Sequence, residues 1–83
     1  MIEMYGTSWC GDCHRARRVL DGMGEKYKWY DVDDDTAARQ HLVAVVGKVK
    51  VPLIEFPDGT HLVEPSNAAL TTKVTALRSS VQD

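Results

Sequence analysis

Three features that would assign a chain to an obvious class are missing from this sequence: a long hydrophobic run, an excess of positive charge, and enough cysteines for a disulfide scaffold. The longest uncharged apolar run is Leu42 to Val46, whereas a membrane-spanning helix needs about 20 residues. Ten basic residues stand against twelve acidic ones, for a formal net charge of −2. The sequence therefore predicts neither a membrane span nor the phosphate-neutralising surface of a nucleic-acid-binding protein.

Length and composition indicate a small globular protein. The chain has 83 residues, of which 43% are hydrophobic and 27% are charged, a balance typical of folded proteins. We expect one domain spanning residues 1–83, because so short a chain cannot build two cores. The opening residues, Met1 to Met4, lack the basic and then apolar pattern of a signal peptide, so the expected location is the cytoplasm.

Strand and helix patterns alternate along the chain. Alternating, β-branched and aromatic runs predict four strands, at 2–6, 27–32, 51–56 and 60–64. Helical spacing predicts three helices, at 11–24, at 36–46 and from an N-cap at Ser66, the last with an apolar stripe of Leu70, Val74, Leu77 and Val81. The fold class is therefore α/β, in the order βαβαββα, with a four-stranded mixed sheet flanked by three helices. In the first strand, alternation places Tyr5 on the polar face, opposite Ile2 and Met4.

The two cysteines, Cys10 and Cys13, lie where the first predicted strand gives way to the first helix. A disulfide that encloses so few residues stabilises a fold little, so the pair points to chemistry. Unpaired N–H groups and the helix dipole favour an anion at a helix N-terminus, so Cys10 is expected to be a nucleophilic thiolate. Thiol–disulfide exchange follows: Cys10 attacks a disulfide, and either Cys13 or a second small thiol resolves the mixed disulfide.

Two metal-binding interpretations compete with this one. A CxxC pair is half of a structural zinc site, but such a site needs four ligands, and the remaining His14, His41 and His61 include no second close pair. Cys10 to His14 also matches the C-x-x-C-H pattern of haem attachment. Haem attachment is normally a feature of exported proteins, and the alternating strands are wrong for a helical haem protein. We therefore expect no metal.

Side chains beside the cysteines set the expected environment of the site. Trp9 is expected to shield the cysteine pair and to contact substrate, and Gly11 leaves room for another chain's disulfide. Arg15 adds positive potential that favours a thiolate, whereas the carboxylate of Asp12 opposes it. The sign of the net effect does not follow from the sequence.

Together these residues resemble the glutaredoxin branch of the thioredoxin superfamily over about residues 2–75. The segment 5–13 resembles the active site of that family, Lys50-Val51-Pro52 resembles its Thr-Val-Pro tripeptide, and the segment 56–66 is similar to one in the mycoredoxins. The resemblance implies a thioredoxin/glutaredoxin fold in which the Val51–Pro52 bond is cis and faces the catalytic cysteines. The backbone of Val51 would then pair with an extended substrate. Lys50 replaces a Thr and adds a cation beside the site.

Departures from the family pattern concern the small-thiol co-substrate. Glutathione-binding members usually carry Lys where Thr7 stands, and a Gly-Gly pair with an acidic residue where residues 64–67 stand. We therefore expect mycothiol in preference to glutathione, and no tightly bound cofactor. Ser66 and Asn67 are expected to hold that thiol through backbone N–H groups at the start of the last helix. Asp12 replaces the usual aromatic residue and changes the contact surface.

The resemblance implies a thiol–disulfide oxidoreductase that reduces protein disulfides or mixed disulfides. The expected partners are disulfide-containing proteins, with the small thiol or a flavoenzyme of the thioredoxin-reductase type as electron donor, and the chain is expected to be a monomer. The alternative is an iron–sulfur carrier, in which Cys10 from each of two chains and two external thiols hold a cluster. The charge of Asp12 and the competing disulfide to Cys13 disfavour that alternative.

Overall fold

The computed structural model describes the backbone of residues 1–81 and the side chains of residues 1–79. Its elements follow the predicted order: β1 (Ile2–Gly6), α1 (Gly11–Gly22), β2 (Tyr27–Asp31), α2 (Thr36–Val46), β3 (Leu53–Glu55), β4 (His61–Val63) and α3 (Asn67–Val81). None of the helices within residues 1–81 has the length and apolar character of a membrane span.

Side-chain caps decide where the second and third helices begin. The Oδ1 atom of Asp35 accepts the N–H of Ala38 at 3.0 Å, and the Oγ atom of Ser66 accepts the N–H of Ala69 at 3.0 Å. Each bond satisfies one of the backbone donors that a first helical turn leaves unpaired. The predicted cap at Ser66 is therefore confirmed. α2 ends at Val46, and its C-cap is Gly47, whose φ of 91° suits glycine.

The strands form one mixed sheet in the order β2-β1-β3-β4. β1 runs parallel to β2 and antiparallel to β3, and β3 runs antiparallel to β4. Leu53 pairs with Tyr5 on one side and with Val63 on the other. The end of β1, the start of β3 and the end of β4 therefore meet at one edge of the sheet, where the β1–α1 junction and the segments flanking Pro52 and Ser66 come together.

Both faces of the sheet are covered. One cluster, under α1 and α3, consists of buried apolar side chains: Ile2, Met4, Ala16, Leu20, Ile54, Phe56, Leu70 and Val74. The other lies under α2 and contains Tyr5, Val32, Ala38, Leu42 and Leu53. The assignment of Tyr5 to a polar face was wrong: its side chain is 6% exposed and its ring stacks on that of Tyr30 with centroids 4.6 Å apart. The reason is that α2 packs on the face of the sheet that carries Tyr5, whereas the alternating pattern of β1 assigned that face to solvent.

Several element boundaries differ from the predicted ones. The first helix ends at Gly22 and not at Gly24, which has a φ of 70°. The second strand ends one residue early, and the last two strands shrink to the residues in their shared ladder, 53–55 and 61–63. Pro52 has no N–H to donate to a ladder. In α3, Leu70 and Val74 are buried and Leu77 packs against the core, while the side chain of Val81 lies outside the described residues.

Candidate active site

Cys10 is the N-cap of α1. Its backbone is extended, with φ −81° and ψ 113°, and its Sγ atom accepts the N–H of Cys13 at 3.2 Å. The sulfur thus occupies the position that a serine or aspartate oxygen takes in an ordinary helix cap. An N–H donor and the positive end of the helix dipole both stabilise negative charge at this point. With 9% of its surface exposed, Cys10 is reachable only at its edge.

Cys13 is fully buried, one turn into α1, and both cysteines are free thiols. The sulfur packs against the Cα atom of Gly6, where the ring of Trp29 also lies, so that a side chain at position 6 would meet both. Burial raises the pKa of the Cys13 thiol to about 12, with further increases from its contact with Cys10 and the charge of Asp12; a backbone hydrogen bond from Thr7 acts in the opposite direction. Cys13 is therefore a protonated thiol at neutral pH.

Arg15 connects the cysteine helix to the start of α3. Its guanidinium donates to the Oδ1 atom of Asn67 at 2.6 Å and to the carbonyl of Pro65 at 3.1 Å, and it contacts the Oδ1 atom of Asp12 at 3.4 Å. The two segments are about 50 residues apart in the chain. Three of the predicted site residues, Asp12, Arg15 and Asn67, are therefore joined in one polar network, and the side chain of Asn67 is already occupied by Arg15.

Trp9 projects into solvent beside the nucleophile. The side chain is 73% exposed. Its Nε1 atom donates to the Oδ2 atom of Asp33 at 2.8 Å, across 24 residues. The indole is therefore held at one end by the β2–α2 loop, while the remainder of the ring is available for contact.

The remaining predicted residues lie at the same edge of the sheet. The Val51–Pro52 bond is cis, as the family resemblance implied, and Pro52 is buried while Lys50 is exposed. The carbonyl of Pro52 accepts the N–H of Glu64 at 2.9 Å, which fixes the segment before α3 against it. Gly11 leaves its surroundings open, since among the described residues no atom outside its chain neighbours and its own helix backbone would lie within 4 Å of a Cβ there.

A metal centre finds no support in the geometry. Among residues 1–81 no group of three or more His, Cys, Asp or Glu side chains is placed to hold a metal ion. The ring of His14, the histidine of the C-x-x-C-H pattern, bonds through Nε2 to the carbonyl oxygen of Ser8 at 2.6 Å. Two free thiols lie at a strand-to-helix junction, one with an exposed edge and the other fully buried. This arrangement suits thiol–disulfide exchange.

Comparison with known proteins decides the family. A sequence model of the glutaredoxin family matches residues 2–62. The chain belongs to the glutaredoxin family. This glutaredoxin is 35% identical to Mycoredoxin 1 of Corynebacterium glutamicum over 77 residues, 92% of this chain and 95% of that protein. It is 31% identical to Glutaredoxin 3 of Escherichia coli over 61 residues, 74% of this chain and 72% of that protein.

The fold comparison agrees. The solved structure of a glutaredoxin from Archaeoglobus fulgidus matches with a TM-score of 0.73 over 86% of this chain and 82% of that one, at 21% sequence identity, which shows the shared fold. The predicted thioredoxin/glutaredoxin fold is thus confirmed. As a glutaredoxin with a CxxC pair, the protein is a thiol–disulfide oxidoreductase whose substrates are disulfides or mixed disulfides.

Sequence reasoning missed three residues of this glutaredoxin's site: Gly6, Trp29 and Asp33. Gly6 ends β1, and its lack of a side chain makes room for the Cys13 sulfur. Trp29 reaches the site from the neighbouring parallel strand, where it pairs with Met4, and Asp33 reaches it from the following loop. Trp29 and Asp33 carry no local signal, because each acts through a contact with a segment that is far away in the chain. Gly6 lies within the segment 5–13 that resembles the family's active site, but the pattern does not indicate its contact with Cys13.

Proposed function

We propose that this glutaredoxin reduces protein disulfides, and mixed disulfides between proteins and a low-molecular-weight thiol, with Cys10 as the nucleophile and Cys13 as the resolving thiol. The asymmetry of the two sulfurs carries the proposal. Cys10 accepts a backbone N–H at the mouth of α1 and keeps an exposed edge, whereas Cys13 is fully buried with a raised pKa. An incoming disulfide therefore meets Cys10 first, because only the Cys10 sulfur has an exposed edge, while Cys13 is buried and protonated.

The thiol–disulfide exchange proceeds in two steps. The Cys10 thiolate bonds to one substrate sulfur while the substrate S–S bond breaks, and the other sulfur leaves as a thiolate that takes up a proton. Cys13 then gives up its proton and attacks the Cys10 sulfur, which releases the second thiolate and forms the Cys10–Cys13 disulfide. Two electrons pass from the protein to the substrate. In the mixed disulfide Cys10 no longer carries charge, so its contribution to the raised pKa of Cys13 disappears and the second step becomes easier.

We also propose mycothiol as the preferred small thiol. The relationship to Mycoredoxin 1 over nearly the whole chain supports this choice, as does Thr7 at a position where glutathione-binding members usually carry Lys. Substrate would lie along the Val51 backbone and against the start of α3, where the Arg15 network holds Pro65 and Asn67 in place. The positive charge of Arg15 is partly offset there by Asp12.

Two variants test the assignment of the cysteines. Cys10→Ser should abolish reduction of every disulfide. Cys13→Ser should keep activity on a mixed disulfide of mycothiol with 2-mercaptoethanol, which a second mycothiol can resolve, and should lose activity on insulin, a protein-disulfide probe. Because Cys13 is buried, a hydroxyl there costs stability, so Cys13→Ala serves as a second variant and must give the same pattern. Equal, mild losses for both cysteines on both substrates would contradict the mechanism.

The electron donor is tested separately. The turnover of wild-type protein is compared with three electron donors: mycothiol and its reductase, glutathione and its reductase, and a thioredoxin-reductase-type flavoenzyme. The rate with mycothiol should be the fastest of the three. A faster rate with glutathione would overturn the mycothiol proposal and leave the roles of the two cysteines intact.

A further inference from the structure

The indole of Trp29 lies beside the sulfur of the buried cysteine. Trp29 pairs with Met4 across the parallel strands β1 and β2, and its side chain packs against the apolar cluster under α1 and α3. A Cβ atom at Gly6 would lie 2.6 Å from the Sγ atom of Cys13, and 2.7 and 3.0 Å from the ring carbons Cη2 and Cζ3 of Trp29. The sulfur and the outer edge of the six-membered ring therefore converge on the same point of β1.

A cation covers the face of the same ring. Arg17 follows Cys13 by four residues on α1, and residues with this spacing lie on one face of a helix with their Cβ atoms about 5–6 Å apart. The guanidinium carbon of Arg17 lies 4.3 Å from the centroid of the Trp29 ring, and its Nε atom donates to the hydroxyl of Tyr27 at 3.2 Å. The indole of Trp29 thus has a sulfur at its edge and a cation on its face.

The ring and its cation favour negative charge on the Cys13 sulfur. An aromatic ring is negative on its faces and positive at its edge, and a contact between sulfur and a ring edge is stabilising. The charge of Arg17, one helical turn away, favours an anion as well. Cys10 and Asp12 act in the opposite direction, since both raise the pKa of Cys13. The backbone of Thr7 lowers that pKa.

We infer that Trp29 and Arg17 are positioning residues for the resolving cysteine: the ring holds the Cys13 sulfur in place, and the ring edge with its stacked cation stabilises the anion that attacks the mixed disulfide. In that step the Cys10–Cys13 bond forms and the bond from Cys10 to the substrate sulfur breaks. The departing sulfur leaves with the electron pair and takes up the proton that Cys13 gave up. The inference rests on the proposed function, since it assigns the second step to Cys13.

The small disulfide dithiobis(nitrobenzoic acid) separates the two steps in stopped-flow absorbance. Attack by Cys10 releases one coloured thiolate, and attack by Cys13 on the resulting mixed disulfide releases a second, at a rate independent of reagent concentration. Trp29→Leu should lower the rate constant of the second release about two- to tenfold, the range of a sulfur–aromatic contact, and that of the first by less than about 1.5-fold. Trp29→Phe keeps an aromatic ring and should fall between wild type and Trp29→Leu.

Surface variants test the cation without disturbing the core. Arg17→Gln should slow the second release about two- to threefold, whereas Arg17→Lys keeps a cation near the ring and should stay within about 1.5-fold of wild type. Arg18→Gln removes the same charge from the next residue of α1, which is exposed, and is the matched control. Val19 packs against the same apolar cluster, so Val19→Ala should lower stability and leave the second release unchanged.

Fluorescence tests the contact between the ring and the sulfur directly. The sequence has two tryptophans, so Trp9→Phe leaves Trp29 as the only one. A disulfide in contact with an excited indole accepts an electron from it and quenches its emission. Oxidation to the Cys10–Cys13 disulfide should therefore lower the emission of Trp29 in this variant, and the same treatment should not lower it when Cys13→Ser is added.

Four results would overturn the inference: equal slowing of both releases in Trp29→Leu, a second release at the wild-type rate in Arg17→Gln, slowing in Arg18→Gln or Val19→Ala as large as in the test variants, or emission that oxidation leaves unchanged. If Trp29→Leu does not fold, the Arg17 variants and the fluorescence decide. A single release from wild-type protein would show that Cys13 does not resolve, and the proposed function would then fail as well. Two releases with unchanged variants would remove the inference alone.

Discussion

Replacing Gly6 by alanine tests how closely the resolving cysteine packs against the sheet. A Cβ atom at position 6 would lie 2.6 Å from the Sγ atom of Cys13, and 2.7 and 3.0 Å from two ring carbons of Trp29. Neither neighbour can move away easily, because Cys13 is fully buried in the first turn of α1 and the ring of Trp29 packs against the core. Adding a methylene to a well-packed core typically costs about 1–3 kcal/mol. With two contacts this short, we expect about 2–3 kcal/mol.

Denaturant and thermal unfolding of the reduced protein measure this cost. For a domain of this size about 1 kcal/mol corresponds to about 4–8 °C in Tm, so Tm should fall by about 8–24 °C. Removing the sulfur relieves one of the two contacts, so Gly6→Ala should cost about 1 kcal/mol less in a Cys13→Ala background. Displacement of the sulfur should also slow the second step of exchange relative to the first.

The matched control is Gly22→Ala, at the last residue of α1. Apart from its chain neighbours and the backbone of its own helix, a Cβ there would have no atom within 4 Å among the described residues, so alanine should be neutral or stabilising by about 0.5–1 kcal/mol. A Gly6→Ala protein with the wild-type Tm and an unchanged second step would refute the packing argument. An equal Tm loss in Gly22→Ala would show a general effect of alanine instead.

Three further predictions concern the resolving thiol, the α1–α3 connection and the loop before α3. Because burial keeps the pKa of Cys13 well above neutral, the rate constant for resolution should increase about tenfold for each unit of pH increase between about pH 6 and 8. Rapid quenching measures this profile, and a flat profile over that range contradicts the prediction. Arg15→Ala removes the hydrogen bonds to Asn67 and Pro65 and should lower the free energy of unfolding by about 1–2 kcal/mol, and Arg15→Lys should have an intermediate effect. Denaturant titration measures the free energy of unfolding, and a loss below about 0.3 kcal/mol in Arg15→Ala would contradict a stabilising role for these bonds. Glu64 has a φ of 47°, in the left-handed region that favours glycine. Glu64→Gly should therefore stabilise the folded protein by about 0.5–1 kcal/mol, and a lower Tm for this variant would show that the backbone at position 64 is not strained.

The raised pKa of Cys13 also links its protonation to folding. A thiol whose pKa is higher in the folded than in the unfolded state contributes stability that is fully present below the unfolded value of about 8.5. That contribution is lost as the pH rises from there towards the folded value of about 12. The reduced protein should therefore lose stability over this range more steeply than Cys13→Ala does, since only the former has the buried thiol to ionise.

Local chemistry in the sequence determined the elements and the reactive pair. Helical spacing predicted α2 at its observed bounds, the side chain of Ser66 marked the beginning of α3, and the position of Cys10 between a strand and a helix predicted its place as a helix cap. These features depend on neighbours within about one turn, so a pattern of a few residues contains them. The family resemblance added the cis Val51–Pro52 bond, which spacing alone does not indicate.

Only the tertiary structure decided which distant side chains meet at the sulfurs. Three contacts join segments that are far apart in the chain: the burial of Tyr5 under α2, the Arg15–Asn67 hydrogen bond, and the support of Trp9 by Asp33. The ring of Trp29 likewise reaches the place where Cys13 packs against Gly6. Such contacts follow from strand order and register, which place the ends of β1, β2 and β4 and the start of β3 at one edge of the sheet. The sequence pattern predicts each helix or strand from its hydrophobic periodicity, but it does not predict which other elements that helix or strand packs against.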